Sequence, residues 1–235
     1  METVKIGNQE WSTTNLNVDV FRNGDIIPEI KSFVEWQQAN ENQAPAWCYY
    51  ENNPELGAKF GRLYNWYAII DPRGLAPEGF RVPSKLDLEE LLNTLVGGID
   101  MNSNNISEWS VAGKDLKRNI SDWLPPGITK AKLKDILKFE KTTIDSLNIA
   151  DLKIGKGFNA LPGGYRYGVR FSDFIGHTRV ACFWTVSKDE YVYDAEQIAN
   201  GVPTMANDFT LTFLSEFAIG KVDVRCGKSV RLLKL

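Results

Sequence analysis

The stretch GFNALPGGYRYG, Gly157–Gly168, decides how the rest of the chain is read. Two adjacent glycines follow Leu-Pro and precede Tyr-Arg-Tyr, so the segment is either a loop that holds a phosphate or a backbone feature only glycine can make. A phosphate cradle places its glycines just ahead of a helix whose first amides point at the anion, with Lys-Ser or Lys-Thr following in the P-loop form. Here Tyr165, Arg166, Tyr167 and Gly168 follow, which read as strand and turn. With no helix start available, Gly163 and Gly164 are read as a framework turn in conformations closed to residues with a Cβ.

Outward from this point the texture differs on the two sides. Upstream, VKIGNQEWSTTNLNV reads as two short strands around a Gly-Asn turn. Leu63, Tyr64, Trp66 and Tyr67 form an apolar segment, strand or short helix, and DPRGLAPEGFRVPS is an ordered loop rich in Pro and Gly. SKLDLEELLNTLVGG is the clearest helix. Ser84 is its N-cap, Asp87 the third helical residue, Leu88, Leu91, Leu92 and Leu95 its apolar stripe, and Gly97-Gly98 its stop. A second helix is expected between Thr129 and Lys141, inside an insertion expected at about 124–156 that Pro125-Pro126-Gly127 sets off. Downstream of Phe158, ACFWTVS, EYVYDA, DFTLTFL and KVDVRC alternate partially and carry β-branched or aromatic residues, as strands do. Without a repeat or a flexible linker, one domain spanning 1–235 is the preferred organisation.

A chain of 235 residues can bury a real core, and 43% hydrophobic with 24% charged residues is ordinary for a globular protein. Seven Trp, eight Tyr and twelve Phe, many beside Gly, Asn or Pro, point to irregular segments pinned by large side chains. A net charge of −3 gives no electrostatic reason to expect nucleic acid, and the lysines of Lys130 to Lys141 are offset elsewhere. No run approaches the about 20 apolar residues of a membrane span. METVKIGNQEW does not resemble a signal peptide, which leaves a cytosolic protein or an exported one whose leader has been removed. Cys48, Cys182 and Cys226 allow at most one disulfide and do not fix the redox compartment.

Enzyme readings fail by subtraction. His177 is the only histidine, which excludes a multi-histidine metal site, and FIGHTRV reads as a structural histidine in a turn. The cysteines lack C-x-x-C spacing, and Phe183-Trp184 beside Cys182 favours a buried thiol acting as a small hydrophobe. ENNPE and MANDF group oxygens of the kind calcium takes, but neither has the spaced acidic pattern of an EF-hand, and turn chemistry explains Asn52-Asn53-Pro54 more simply. No cofactor is expected.

IGNQEWSTTNLNV, GRLYNWYAIIDPRGLAPEGFRVPS with the helix after it, GFNALPGGYR, FSDFIG, FWTVS and DVRC, in that order, resemble the Fibrobacter succinogenes major paralogous domain family. That family is similar to the C-type lectin-like fold and, more distantly, to the formylglycine-generating enzyme group. The resemblance implies an α+β domain with two helices packed on twisted antiparallel sheets and a long loop-rich region that displays the ligand surface. It assigns Gly61, Trp66, Pro83, Gly163, Gly164, Tyr165, Arg166, Trp184, Arg225 and Cys226 to the framework. Ala76 stands where the family usually has cysteine, which weakens the expectation of a family disulfide and of an oxidising compartment. No Glu-Pro-Asn or Gln-Pro-Asp triplet occurs, and Ala206-Asn207-Asp208 only echoes Trp-Asn-Asp, so calcium-dependent sugar binding is unsupported. The active-site cysteine pair of the formylglycine-generating enzymes is missing too, and a shared fold does not carry over an activity.

The leading expectation is therefore a non-enzymatic recognition module that binds a protein or glycan through loops between Trp184 and Gly220. Trp184, Lys188, Glu190, Tyr191, Tyr193, Asn207, Asp208 and Phe209 are the candidate contacts, because aromatic and polar mixtures are typical of recognition surfaces. A more specific version makes Lys188 to Gly220, the most family-divergent segment, a hypervariable surface diversified by a retroelement. The alternatives are an enzyme of the formylglycine-generating type using Cys182 or Cys226, and a subunit of a surface assembly. The resemblance leans the location towards the cell surface.

Overall fold

The N-terminal hairpin forms where Gly-Asn turns the chain. β1 (Thr3–Ile6) and β2 (Gln9–Ser12) pair antiparallel with Val4 opposite Trp11, and Gly7 between them takes φ +61°, a conformation cheap only for glycine. The computed structural model describes residues 1–97, 112–113, 115–117, 120–123, 157–168, 174–186, 205–212 and 217–235. Among them are four α-helices and three sheets, an α+β composition.

Each helix starts on a side-chain cap. Ser32 opens α1 (Phe33–Glu41) by accepting from the Glu35 amide, and α1 buries Trp36 and Ala39. Asn53 caps α2 (Pro54–Phe60), whose first residue is a proline that has no amide to leave unpaired. The Leu63–Tyr67 segment turns out to be strand and helix in succession. β3 (Trp47–Cys48) pairs with β4 (Leu63–Tyr64), and Asn65 then caps α3 (Trp66–Ile70) through the Ala68 amide. In α4 (Lys85–Val96) the expected capping box is complete, Leu88, Leu91, Leu92 and Leu95 are buried, and Gly97 at φ +78° ends the helix. The helix expected at 129–141, the insertion at 124–156 and EYVYDA lie outside the described residues.

Two larger sheets frame the core. β5 (Phe80–Arg81) and β11 (Leu233–Lys234) complete the first, in the order β1-β2-β11-β5. The second joins β6 (Gly163–Arg166), β7 (Phe174–His177), β8 (Val180–Trp184), β9 (Met205–Thr212) and β10 (Phe217–Asp223) in the order β10-β9-β8-β6-β7. This sheet is not wholly antiparallel as expected. β7 reverses against β6, the turn at Thr178-Arg179 reverses the chain again, and β8 therefore runs parallel to β6. Two further expectations change here: Gly163 and Gly164 are strand residues rather than a turn, and His177 ends β7.

Successive strand residues face opposite sides of the sheet, and the apolar ones sort accordingly. Phe183, Phe209 and Leu211 pack with Trp11, Phe158 and the leucines of α4. Trp184 and Ala206 face a second cluster with Trp66, Tyr64, Cys226 and Val230. A third cluster holds Trp36, Cys48, Tyr50 and Leu63.

Candidate functional site

β8 and β9 pair from Val180–Thr212 to Trp184–Asp208, so the described residues on either side of 187–204 lie beside each other at one end of the sheet. Three anchors fix this end of β8. The Trp184 indole donates to the Tyr64 carbonyl at 2.7 Å and lies 5.4 Å from the Trp66 ring. The Thr185 hydroxyl donates to the Asn207 carbonyl at 2.9 Å. The Val186 amide donates to the carbonyl of Pro83 at 2.8 Å, tying the strand end to the loop before α4.

Behind this end of β8 sits a buried polar cluster. Lys228 Nζ lies 2.5 Å from Asp208 Oδ2, with both side chains almost wholly enclosed. The Thr210 hydroxyl donates to the same carboxylate oxygen at 3.0 Å and lies 3.5 Å from Cys182 Sγ. The Lys228 ammonium is also 5.3 Å from the Tyr165 ring and 5.4 Å from that of Trp184. Burial works against its charge, but the Asp208 carboxylate more than offsets this and holds the ammonium above the usual lysine range. Burial pushes both the Cys182 and the Cys226 thiols up, so neither is a ready thiolate. All three cysteines of the chain are described, and no disulfide joins them.

Two arginines pin the surrounding backbone. Arg166, fully buried, donates to the carbonyls of Ile30 and Lys31 at 2.7 and 3.1 Å and lies over Trp36. Arg231 donates to the carbonyls of Ser12, Phe158 and Asn159 and to Asn15 Oδ1, all neutral acceptors. Burial pulls its guanidinium down to about 9, still charged at neutral pH.

Half of the candidate contacts prove to be interior. Trp184 and Phe209 are 0% exposed, Asn207 2% and Asp208 5%, so these four build the sheet rather than meet a ligand. The polar pair is inside because its partners arrive from distant sequence: Lys228 neutralises Asp208, and the Asn207 backbone serves Thr185. Lys188, Glu190, Tyr191 and Tyr193 lie outside the described residues. Of the framework positions, Trp66, Gly163, Gly164, Arg166, Cys226 and Pro83 are buried and Tyr165 is half-buried. The half-buried Arg225 is held by a two-point pair with Asp223, while its carbonyl accepts from the Trp36 indole at 2.8 Å. Sequence reasoning missed Lys228 and Arg231, since neither belongs to a local pattern.

A surface groove of about 350 Å³ between the first sheet and the start of α4 is lined by Gln9, Glu10, Arg81, Asp87, Glu90 and Lys234. Its cations are already engaged: Arg81 forks onto both oxygens of Asp87 at 2.6 Å, and Lys234 meets Glu10 at 2.8 Å. Among the described residues there is no cluster of three metal-ligating side chains, and no helix is long and apolar enough to cross a membrane.

No curated protein and no solved structure matches the chain. The model of the Fibrobacter succinogenes major domain, however, matches residues 4–234, from within β1 to the end of β11. The chain thus belongs to the Fibrobacter succinogenes major domain family.

Proposed function

We propose that the protein is a non-enzymatic recognition module of C-type lectin-like architecture that binds a protein or glycan through residues 187–204. The observation that carries this reading is the anchoring of the strand ends on either side of that segment. The residues that flank 187–204 are held in place by the Trp184–Asp208 strand pair, the Trp184–Tyr64 hydrogen bond and the Val186–Pro83 bond. A rigid scaffold that fixes the ends of a connection is the usual support for a binding loop. The segment carries Lys188, Glu190, Tyr191 and Tyr193, charged and aromatic groups suited to recognition.

The hypervariable version of this reading must be narrower than Lys188 to Gly220, because Ala206, Asn207, Asp208, Phe209 and Leu211 are core residues that tolerate little change. An enzyme based on Cys182 or Cys226 is less well supported, as both thiols are buried and held protonated. The experiment is a chimera in which 188–200 is replaced by a Gly-Ser linker, compared with the parent chain on glycan and surface-protein arrays. The reading requires binding by the parent and its loss in a chimera that keeps the parent's circular dichroism. Binding that survives the replacement, or no binding by the parent, overturns it.

A further inference from the structure

Lys228 and Asp208 pose a problem that the recognition reading leaves untouched. Burying an ion pair costs each ion its hydration, and the mutual attraction repays this only in part. Here an amine and a carboxyl are held in contact at 2.5 Å, with side-chain exposures of 3% and 8%. Tyr165 and Trp184 supply apolar ring faces to Lys228 Nζ. The carboxylate oxygen that faces the amine also accepts from the Thr210 hydroxyl at 3.0 Å. Two reacting groups fixed in this way have a high effective concentration, and an enclosed site disfavours the return of water.

From this arrangement we infer that Lys228 and Asp208 are a self-crosslinking site, joined by an intramolecular amide between Nζ and Cγ. The ammonium first passes a proton to Asp208 Oδ2, giving a neutral amine and a carboxylic acid. The Nζ lone pair then attacks Cγ. A second proton moves from nitrogen to Oδ2, the Cγ–Oδ2 bond breaks, and Oδ2 leaves as water, with the Thr210 hydroxyl bonded to the departing oxygen. One of the three ammonium protons stays on the amide. Nothing is oxidised or reduced, and no co-reactant is needed. The product carries no charge, so the cost of burying two ions disappears along with the ions. The bond would tie the segment after β10 to β9 across β8, closing a covalent ring next to the Trp184–Asp208 end of the ladder.

The test is intact-mass spectrometry of the folded full chain, followed by unfolding and tryptic mapping. The expected result is a mass lower by one water, loss of tryptic cleavage after Lys228, and a branched peptide that joins the segments containing Asp208 and Lys228. Asp208→Asn keeps the shape of the site and should form the same amide with loss of ammonia instead. Lys228→Arg should restore the full mass. An uncrosslinked mass in native protein that stays unchanged after prolonged incubation overturns the inference. So does a water loss that maps to any other pair of residues. The outcome does not depend on whether the chain binds a protein or glycan.

Discussion

Gly164→Ala should be far more damaging than Gly163→Ala, although the two residues are neighbours in one strand. At Gly164 the backbone has φ +68°, and a Cβ would stand 2.6 Å from the Ile175 carbonyl oxygen and 2.8 Å from the His177 amide nitrogen. Those atoms belong to the paired strand β7 and cannot withdraw without breaking the pairing. A left-handed conformation costs an L-residue about 1–2 kcal/mol, and forced overpacking adds about 1–3 kcal/mol, so the loss should total about 2–5 kcal/mol. At Gly163 the φ is ordinary and the added methyl meets only the Phe60 side chain at 3.2–3.4 Å. That tightness is offset by the reduced freedom of the unfolded chain, which leaves a net change within about 1 kcal/mol. Urea denaturation measures both. With a slope of about 3 kcal/mol per molar, Gly164→Ala should lower the midpoint by about 1 M, and Gly163→Ala by a small fraction of that. Equal midpoints for the two variants would refute the reasoning, since the difference rests on the left-handed conformation of Gly164 and on the β7 backbone facing it.

Arg231→Met leaves three carbonyls and Asn15 without their donor, and should cost about 3 kcal/mol in urea denaturation. Trp184→Ala removes a fully buried indole and should cost about 3–5 kcal/mol, so any loss of ligand binding should follow the loss of fold seen by near-ultraviolet circular dichroism. His177 lies between the Tyr50 and Phe60 rings, each 5.1 Å away, with Glu51 and Lys59 as its charged neighbours. Burial lowers its pKa below 6.5, so the folded state resists protonation, and its contribution, whole above 6.5, is lost as pH falls below that value. His177→Phe should flatten this part of the Tm profile, and the single imidazole NMR signal of the wild type should titrate with a midpoint below 6.5. Burial raises the Asp87 carboxyl, but the Arg81 fork and the Ser84 bonds outweigh it and hold it below its ordinary 3.8. Asp87→Asn should therefore cost about 1 kcal/mol at neutral pH, with a deficit that shrinks as acid titrates the wild-type carboxylate below 3.8.

What the sequence made legible was local. α4 could be read residue by residue because Ser84, Asp87, the leucine stripe and Gly97 each act within a turn or two of their own position. The first hairpin was legible for the same reason. The direction of β8 was not, because it depends on which edges of β6 the strands on either side of Thr178 take. Asn207 and Asp208 read as surface residues because they are polar, and they are buried because Lys228 and Thr185 reach them from other parts of the chain. Phe209 shares their stretch but points to the opposite cluster from Ala206, a distinction that strand alternation supplies only once the strand's bounds are known. The anchoring of Val186 at Pro83 likewise joins positions about a hundred residues apart, beyond the reach of any spacing rule.

The place of β11 has a consequence for how the protein is made. Leu233 pairs on one side with Trp11 and on the other with Arg81, so an inner strand of the first sheet is made well after both of the strands that flank it. Until it arrives, the N-terminal hairpin and β5 have no bridge, and the apolar face next to α4 stays open. Synthesis at about 5–20 residues per second makes that wait last on the order of ten seconds, long enough for a chaperone to occupy the gap. The first sheet thus closes late in synthesis, and a chain cut short before β11 should carry an unfilled slot between β2 and β5.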